Sequence, residues 1–175
     1  LCLLSGLFVN AQHAEFEWTK QLNEGGSQGN ILPFIHFDID GDVYFVGKFN
    51  TSLDFLGVIY PPTTNGNVIV KMKQDGSLVW IKLAQGAFYS EIVTDTNKKG
   101  YVGGNYMGSM TISPFTLNQT PGIFGQTSYY ATLDSLGTFL SAANVYSGDS
   151  FFNGVSKLSS NQNGDVVYVE SRGVF

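Results

Sequence analysis

Three aspartates alternate along one short stretch of the chain. Asp38, Asp40 and Asp42 flank Gly41, and carboxylate oxygens at such a spacing are ligands that Ca²⁺ prefers. Asp and Gly are also the residues that tight turns select. The stretch therefore predicts either a calcium site at the three aspartates or a hairpin. It is not an EF-hand loop, because no Glu occupies the twelfth position.

Residues 25–29 read Gly-Gly-Ser-Gln-Gly, which has the spacing of a hydrolase nucleophile elbow. That chemistry needs an acid and then a histidine later in the chain, but His36 is the last histidine. We therefore interpret the segment as a Gly/Ser loop. His13, His36 and Cys2 are too few and too scattered to predict a metal centre. We find no catalytic residues, and we expect neither enzymatic activity nor an organic cofactor.

Three aromatic residues stand beside Pro or Gly, where side chains are harder to bury. They are Tyr60, Phe115 and Phe124. Such rings could stack on sugar rings, and packing in the core is the alternative for each of them. They are the candidate ligand-binding residues, with a glycan or a surface protein as the partner.

The composition favours a β-rich domain. The chain has 175 residues, of which 43% are hydrophobic, 14% aromatic and only 13% charged, and it contains 21 glycines. This suffices for one domain with a core, and aromatic-rich, charge-poor chains are not disordered. Frequent glycines indicate many tight turns.

The charge pattern excludes two classes of partner. The net charge is −5, and the longest basic run is Lys98-Lys99. Nucleic-acid binding needs a basic surface that neutralises phosphates, and docking on anionic lipid needs a similar cluster. We expect neither nucleic acid nor a membrane surface as a partner.

The first residues favour export. Residues 1–9 are mostly apolar and are followed by Asn10-Ala11-Gln12, a pattern typical of the end of a secretory signal peptide. We interpret residues 1–11 as a truncated signal peptide, with a buried edge strand as the alternative. The run is too short to span a bilayer. Because it contains the only cysteine, the mature chain would hold no disulfide.

Residues 35–55 recur at residues 92–112 with a constant shift. The matched pairs are Ile35–Ile92, Asp38–Asp95, Tyr44–Tyr101, Gly47–Gly104 and Phe49–Tyr106. A repeat of this length predicts one copied supersecondary unit whose copies pack against each other.

Each unit reads as four strands joined by hairpins. Alternation and turn signals predict strands at 31–38, 43–49, 67–73 and 78–84, and again near 90–95, 101–107, 128–134 and 138–145, with a short strand near 55–59. Asp40-Gly41 predicts a tight hairpin with a primed turn. The units lie near 31–84 and 89–145, and a partial third unit covers 152–175.

Residues 15–22 predict a strand that belongs to another unit. Trp18-Thr19-Lys20 resembles Trp80-Ile81-Lys82 in the fourth strand. An N-terminal strand that completes the last unit of a ring leaves no free sheet edge.

The stretches DIDGDVYFVGKF (38–49) and VKMKQDGSLVWIK (70–82) resemble the β-propeller repeats of secreted bacterial proteins. The resemblance implies an all-β fold of antiparallel four-stranded blades over residues 12–175. It also implies an incomplete ring of about two full and two partial blades. Lys98-Lys99 and Ser141 depart from the repeat pattern.

The resemblance further implies an exported or surface-attached protein. We expect a non-catalytic role at the cell surface or outside the cell, in binding, adhesion or as a scaffold. The alternative is the blade domain of a secreted enzyme, either polysaccharide-active or a quinone-dependent dehydrogenase, because residues 73–80 also resemble a quinoprotein strand.

Overall fold

The structure is a computed structural model. It describes residues 23–24, 31–49, 52–55, 57–60, 66–119, 125–145, 152–161 and 165–173. In these residues all regular structure is β-strand, and the paired strands run antiparallel. The predicted all-β class is confirmed. The predicted signal peptide, the predicted strand at 15–22 and the loop at 25–29 lie outside the described residues.

Thirteen strands are described. They are β1 Asn23–Glu24, β2 Ile31–Phe37, β3 Val43–Phe49, β4 Leu53–Phe55, β5 Val58–Tyr60, β6 Gly66–Met72, β7 Leu78–Thr94, β8 Gly100–Ile112, β9 Phe115–Asn118, β10 Thr127–Leu133, β11 Phe139–Asn144, β12 Phe152–Ser160 and β13 Val166–Gly173. No described helix has the length and hydropathy to cross a bilayer.

The strands form one large sheet and two small ones. The large sheet has the order β11-β10-β8-β7-β6-β3-β2, with β9 paired to β8. β1, β4 and β5 form a three-stranded sheet, and β12 pairs with β13. We divide the large sheet into two four-stranded parts that meet within β7. The first sheet consists of β2, β3, β6 and residues 78–84, and the second sheet consists of residues 87–94, β8, β10 and β11. The third sheet consists of β12 and β13.

Strand β7 belongs to both the first and the second sheet. Its first part pairs with β6, and its second part pairs with β8. The register shifts between Gln85 and Ala87, where Gly86 has a φ of 76° that L-residues disfavour. The prediction of two separate strands at 78–84 and 90–95 is therefore wrong, because Gly86 bends the strand without ending it.

The hairpins share a three-residue loop. Asp38 donates its N–H to the carbonyl of Asp42 and accepts from the N–H of Gly41, whose φ is 81°. The predicted primed turn is wrong, since it would require a positive φ at Asp40 as well. A loop of this length with one left-handed residue matches a type I turn followed by a bulge. Lys98 takes the left-handed position in the hairpin after β7, with a φ of 61°.

The main core lies where the first and second sheets pack face to face. Alternation places every second residue of each strand on this interface. The buried residues include Tyr44, Val46, Ile69 and Ala84 from the first sheet, and Tyr89, Ile92, Val102, Tyr106, Tyr129, Ala131 and Leu133 from the second. Burial of these large apolar side chains is the dominant stabilising contribution.

The third sheet packs on the opposite face of the second sheet. Val93 and Leu158 are buried there, against Tyr101 and Val166. Glu91 is also buried, and its carboxylate accepts the N–H of Leu158. The second sheet is thus covered on both faces, and three antiparallel layers result.

Candidate functional site

The three aspartates predicted as calcium ligands do lie together in the hairpin between β2 and β3, but each has a structural role. The Asp38 carboxylate is fully buried, and its Oδ1 accepts the N–H groups of Asp40 and Asp42 at 3.0 Å. This local bonding satisfies the loop backbone, which is why Asp suits the position.

A buried lysine pairs with two of these aspartates. Lys71 Nζ lies 3.2 Å from Asp38 Oδ2 and 3.1 Å from Asp42 Oδ2, and 5.0 Å from the centre of the Tyr44 ring. Burial alone would lower the pKa of Lys71, but its hydrogen bonds to Tyr44, Asp42 and Asp38 outweigh burial and raise that pKa above its ordinary value. Lys71 is therefore charged and neutralises the buried carboxylate.

The third aspartate forms a more exposed ion pair. The Asp40 carboxylate contacts Lys98 Nζ, which joins the hairpin of the first sheet to the hairpin of the second. A cation thus contacts each of the three carboxylates. No group of three or more His, Cys, Asp or Glu side chains that could hold a metal ion is found in the described part of the chain. These contacts give the calcium prediction no support.

Asp95 repeats the bonding of Asp38 without a cation. Its Oδ1 accepts the N–H groups of Asn97 at 2.8 Å and Lys99 at 3.0 Å, and its Oδ2 accepts the Tyr101 hydroxyl at 3.1 Å. Asp95 is buried, and it has no ion-pair partner among the described residues.

Thr94 lies where all three sheets meet. Its backbone N–H donates to His36 Nε2 at 3.0 Å, and its backbone carbonyl accepts the Ser160 hydroxyl at 2.8 Å. Both backbone groups lie on the edge of β7 that faces away from β8, because the adjacent Asp95 N–H pairs with Lys99. Side chains from the first and third sheets therefore satisfy the free edge of the second.

The hydrogen bond from Thr94 fixes the tautomer of the neutral His36 ring. Because Nε2 accepts an N–H, the neutral ring carries its proton on Nδ1. Burial lowers the pKa of His36, although the nearby Asp38 charge opposes the effect. The Thr94 hydroxyl lies 2.9 Å from the same Nε2, but an activated nucleophile requires the other ring nitrogen to be held by a third group. Within the described chain Nδ1 has no such partner, so the pair lacks the geometry of a catalytic dyad.

A groove of about 270 Å³ opens beside Thr94. Its walls are residues 36–39 of the first sheet and its hairpin, residues 94–96 of the second sheet, and residues 160–161 after β12. Two large apolar side chains border it in solvent, since Phe37 is 63% exposed and Ile39 is 66% exposed. The groove thus combines apolar rims with a polar floor.

The predicted aromatic platforms lie elsewhere. Tyr60 ends β5 and packs, partly buried, against the cluster around Phe49 and Val70. Phe115 begins β9 and packs against the main core. Phe124 lies outside the described residues. The two described rings are in strands rather than loops, and their contacts favour the core-packing alternative.

Sequence reasoning missed the groove. Phe37 falls within the strand predicted at 31–38, and Ile39 falls between the strands predicted at 31–38 and 43–49. The hydrogen bonds that link His36, Thr94 and Ser160 join residues 58 and 66 positions apart. One signal was available, since Thr94 directly precedes Asp95, the residue aligned with Asp38.

In comparisons with known proteins, no protein-family model and no curated protein matches the chain.

Proposed function

We propose that this chain is a non-catalytic, exported β-repeat protein whose antiparallel sheets are blades of a β-propeller. Its role is binding, adhesion or scaffolding at the cell surface or outside the cell. The repeated unit is the basis of the proposal, because stacked copies build extended surfaces from loops without needing a catalytic constellation.

One correspondence carries the blade interpretation. In the first sheet, cross-strand pairing joins Ile35, Phe45, Val70 and Ile81 in one row. In the second sheet, it joins Ile92, Val102, Ala131 and Ala142 in the matching row. Aligned residues therefore occupy the same place in each four-stranded sheet, as copies of one unit should.

The stacking supports the same proposal. The second sheet packs one face on the first sheet and the other face on the third. Successive sheets packed face to face, each joined to the next by a short connection, are the arrangement of neighbouring blades. Export rests on the apolar N-terminal residues and on the resemblance to secreted repeats.

A sedimentation assay tests the binding role. The full chain is mixed with bacterial cell envelopes, the envelopes are pelleted, and protein left in the supernatant is measured. We expect saturable depletion by the folded chain. We expect none by a Gly104→Ala variant, in which a Cβ would collide with the Phe88 carbonyl oxygen and disrupt the second sheet.

Two results would overturn the proposal. One is the absence of saturable binding by the folded chain. The other is an enzymatic property of the purified protein, either release of reducing sugar from the envelopes or a quinone absorption band, which would favour the secreted-enzyme alternative.

A further inference from the structure

We propose that the groove beside Thr94 binds a sugar ring of a glycan, with the Phe37 side chain as the stacking platform. This inference rests on the proposed binding function and adds a site and a ligand class to it. The site differs from the aromatic residues that the sequence suggested.

The apolar side of the groove suits the carbon–hydrogen face of a sugar. Phe37 and Ile39 are two positions apart, and each leaves more than half of its surface in solvent. Exposed large apolar side chains at the rim of a concave site are a feature of ligand-binding surfaces. A pyranose presents a flat apolar face, and an aromatic ring can cover that face while the sugar hydroxyls stay hydrated.

The polar side of the groove offers complementary groups for hydroxyls. The buried Asp95 carboxylate accepts three hydrogen bonds and is paired with no cation among the described residues. His36 also lines the groove, and its Nδ1–H donor has no hydrogen-bond acceptor in the described part of the chain. Thr96 and Asn161 also line the exposed rim of the groove, where the Asn161 carboxamide is hydrogen-bonded to Asp165. A polyhydroxylated ligand can both donate to the carboxylate and accept from the imidazole.

Two observations favour a sugar over a peptide strand. A peptide that extends a sheet needs free backbone groups on the edge it joins, and those of Thr94 are already bonded to His36 and Ser160. The volume of about 270 Å³ is also near the lower limit of small-molecule sites, roughly 300 Å³. Such a groove fits a single sugar ring better than an extended peptide with several side chains.

A ligand of the groove does not need to be cationic. Lys71 neutralises Asp38, and the Asp95 oxygens already accept three hydrogen bonds. A neutral sugar hydroxyl can donate a further hydrogen bond to the Asp95 carboxylate, and a positively charged ligand group is not required.

Titration of the full, ¹⁵N-labelled chain with single oligosaccharides tests the proposal. The probes are cellohexaose, xylohexaose, chitohexaose and mannohexaose, each followed by backbone amide shifts. We expect at least one probe to shift residues 36–39, 94–96 and 160–161. Phe37→Ala should raise the Kd for that probe about three- to tenfold, the range expected for the loss of one aromatic contact.

Ile59→Ala is the matched control, because Ile59 is 71% exposed on β5 and does not line the groove. It should leave the Kd unchanged. Amide spectra of both variants report whether the fold is intact, and Phe37→Tyr should retain binding if the first variant loses too much structure.

The outcomes separate the two proposals. The groove is not the binding site if a saccharide shifts the amides of other residues, or if Phe37→Ala and Ile59→Ala weaken binding equally. Either result would leave the proposed binding function unaffected. If all four probes fail while the chain still binds envelopes, or if a lysine-rich peptide shifts the groove residues instead, the sugar assignment is wrong.

Discussion

His36 Nε2 accepts the backbone N–H of Thr94 at 3.0 Å, and this bond ties the first sheet to the edge of the second. A protonated ring cannot accept an N–H, so the bond exists only while His36 is neutral. The junction of the sheets is therefore sensitive to pH.

We expect the free energy of unfolding to fall as the pH drops below about 6.5, the ordinary pKa of histidine. The pKa of folded His36 lies below that value, so the unfolded chain binds the proton more readily. The contribution of His36 is therefore fully present above about pH 6.5 and is lost as the pH falls through the lower, folded pKa. Urea unfolding across this range measures the change.

His36→Gln is the matched variant for this prediction, because its side-chain oxygen can still accept the Thr94 N–H and does not titrate. Its stability should depend less on pH over the same range. Parallel pH profiles for the two proteins would show that His36 does not cause the change.

The buried ion pair between Lys71 and Asp38 leads to a prediction about the free energy of unfolding at neutral pH. Lys71→Met should lower the free energy of unfolding by about 3–5 kcal/mol, because it leaves a buried carboxylate without its counter-ion. The side chains of Lys71 and Asp38 are 4% and 0% exposed, so solvent screens the loss little. Chemical denaturation at neutral pH measures it.

Lys98→Met provides the comparison, since the pair between Lys98 and Asp40 lies in solvent, where ion pairs contribute little. We expect little or no change in its unfolding midpoint. Equal losses in the two variants would contradict the assignment of Lys71 as the cation that neutralises the buried Asp38.

Two tyrosines of the main core show opposite hydrogen-bonding states. The Tyr129 hydroxyl is buried without a hydrogen-bond partner in the described structure, whereas the Tyr106 hydroxyl donates to Asn144 Oδ1 at 2.8 Å. Tyr129→Phe should raise the free energy of unfolding by about 1 kcal/mol, because it removes a desolvated hydroxyl that gains no bond. Thermal and urea unfolding provide the measurement.

Tyr106→Phe should instead lower the free energy of unfolding by about 1 kcal/mol, the typical net contribution of a hydrogen bond. The two rings are in edge contact, with centroids 6.1 Å apart, so both variants keep similar packing. A loss of stability in Tyr129→Phe would mean that its hydroxyl has a partner after all.

Local signals were sufficient to predict most of the strands. The pair Asp40-Gly41 located a hairpin, because few residue types satisfy its backbone, and alternation in residues 67–73 predicted β6 within one residue at each end. The continuity of β7 could not be predicted, because a glycine such as Gly86 usually indicates the end of a strand. Only the structure shows that Gly86 has a positive φ and lies close to the backbone of Ser109 on β8.

The site was harder to predict for a physical reason. A carboxylate pattern such as Asp38-Asp40-Asp42 does not reveal whether a metal ion or a lysine lies opposite, and Lys71 is 33 residues away from Asp38. Its position between the apolar Val70 and Met72 was the available signal, since a charged residue on a buried strand usually has a partner. The groove depends on three sheets and has no local pattern.

The passage of β7 through two sheets limits where the chain can be altered. From Leu78 to Thr94 the backbone runs without a loop, and each end of that run is bonded into a different sheet. Insertions and proteolytic cuts are tolerated at exposed loops. No such loop separates the first sheet from the second within β7, so neither change is expected to be tolerated there. A natural or engineered variant would have to gain or lose both sheets together.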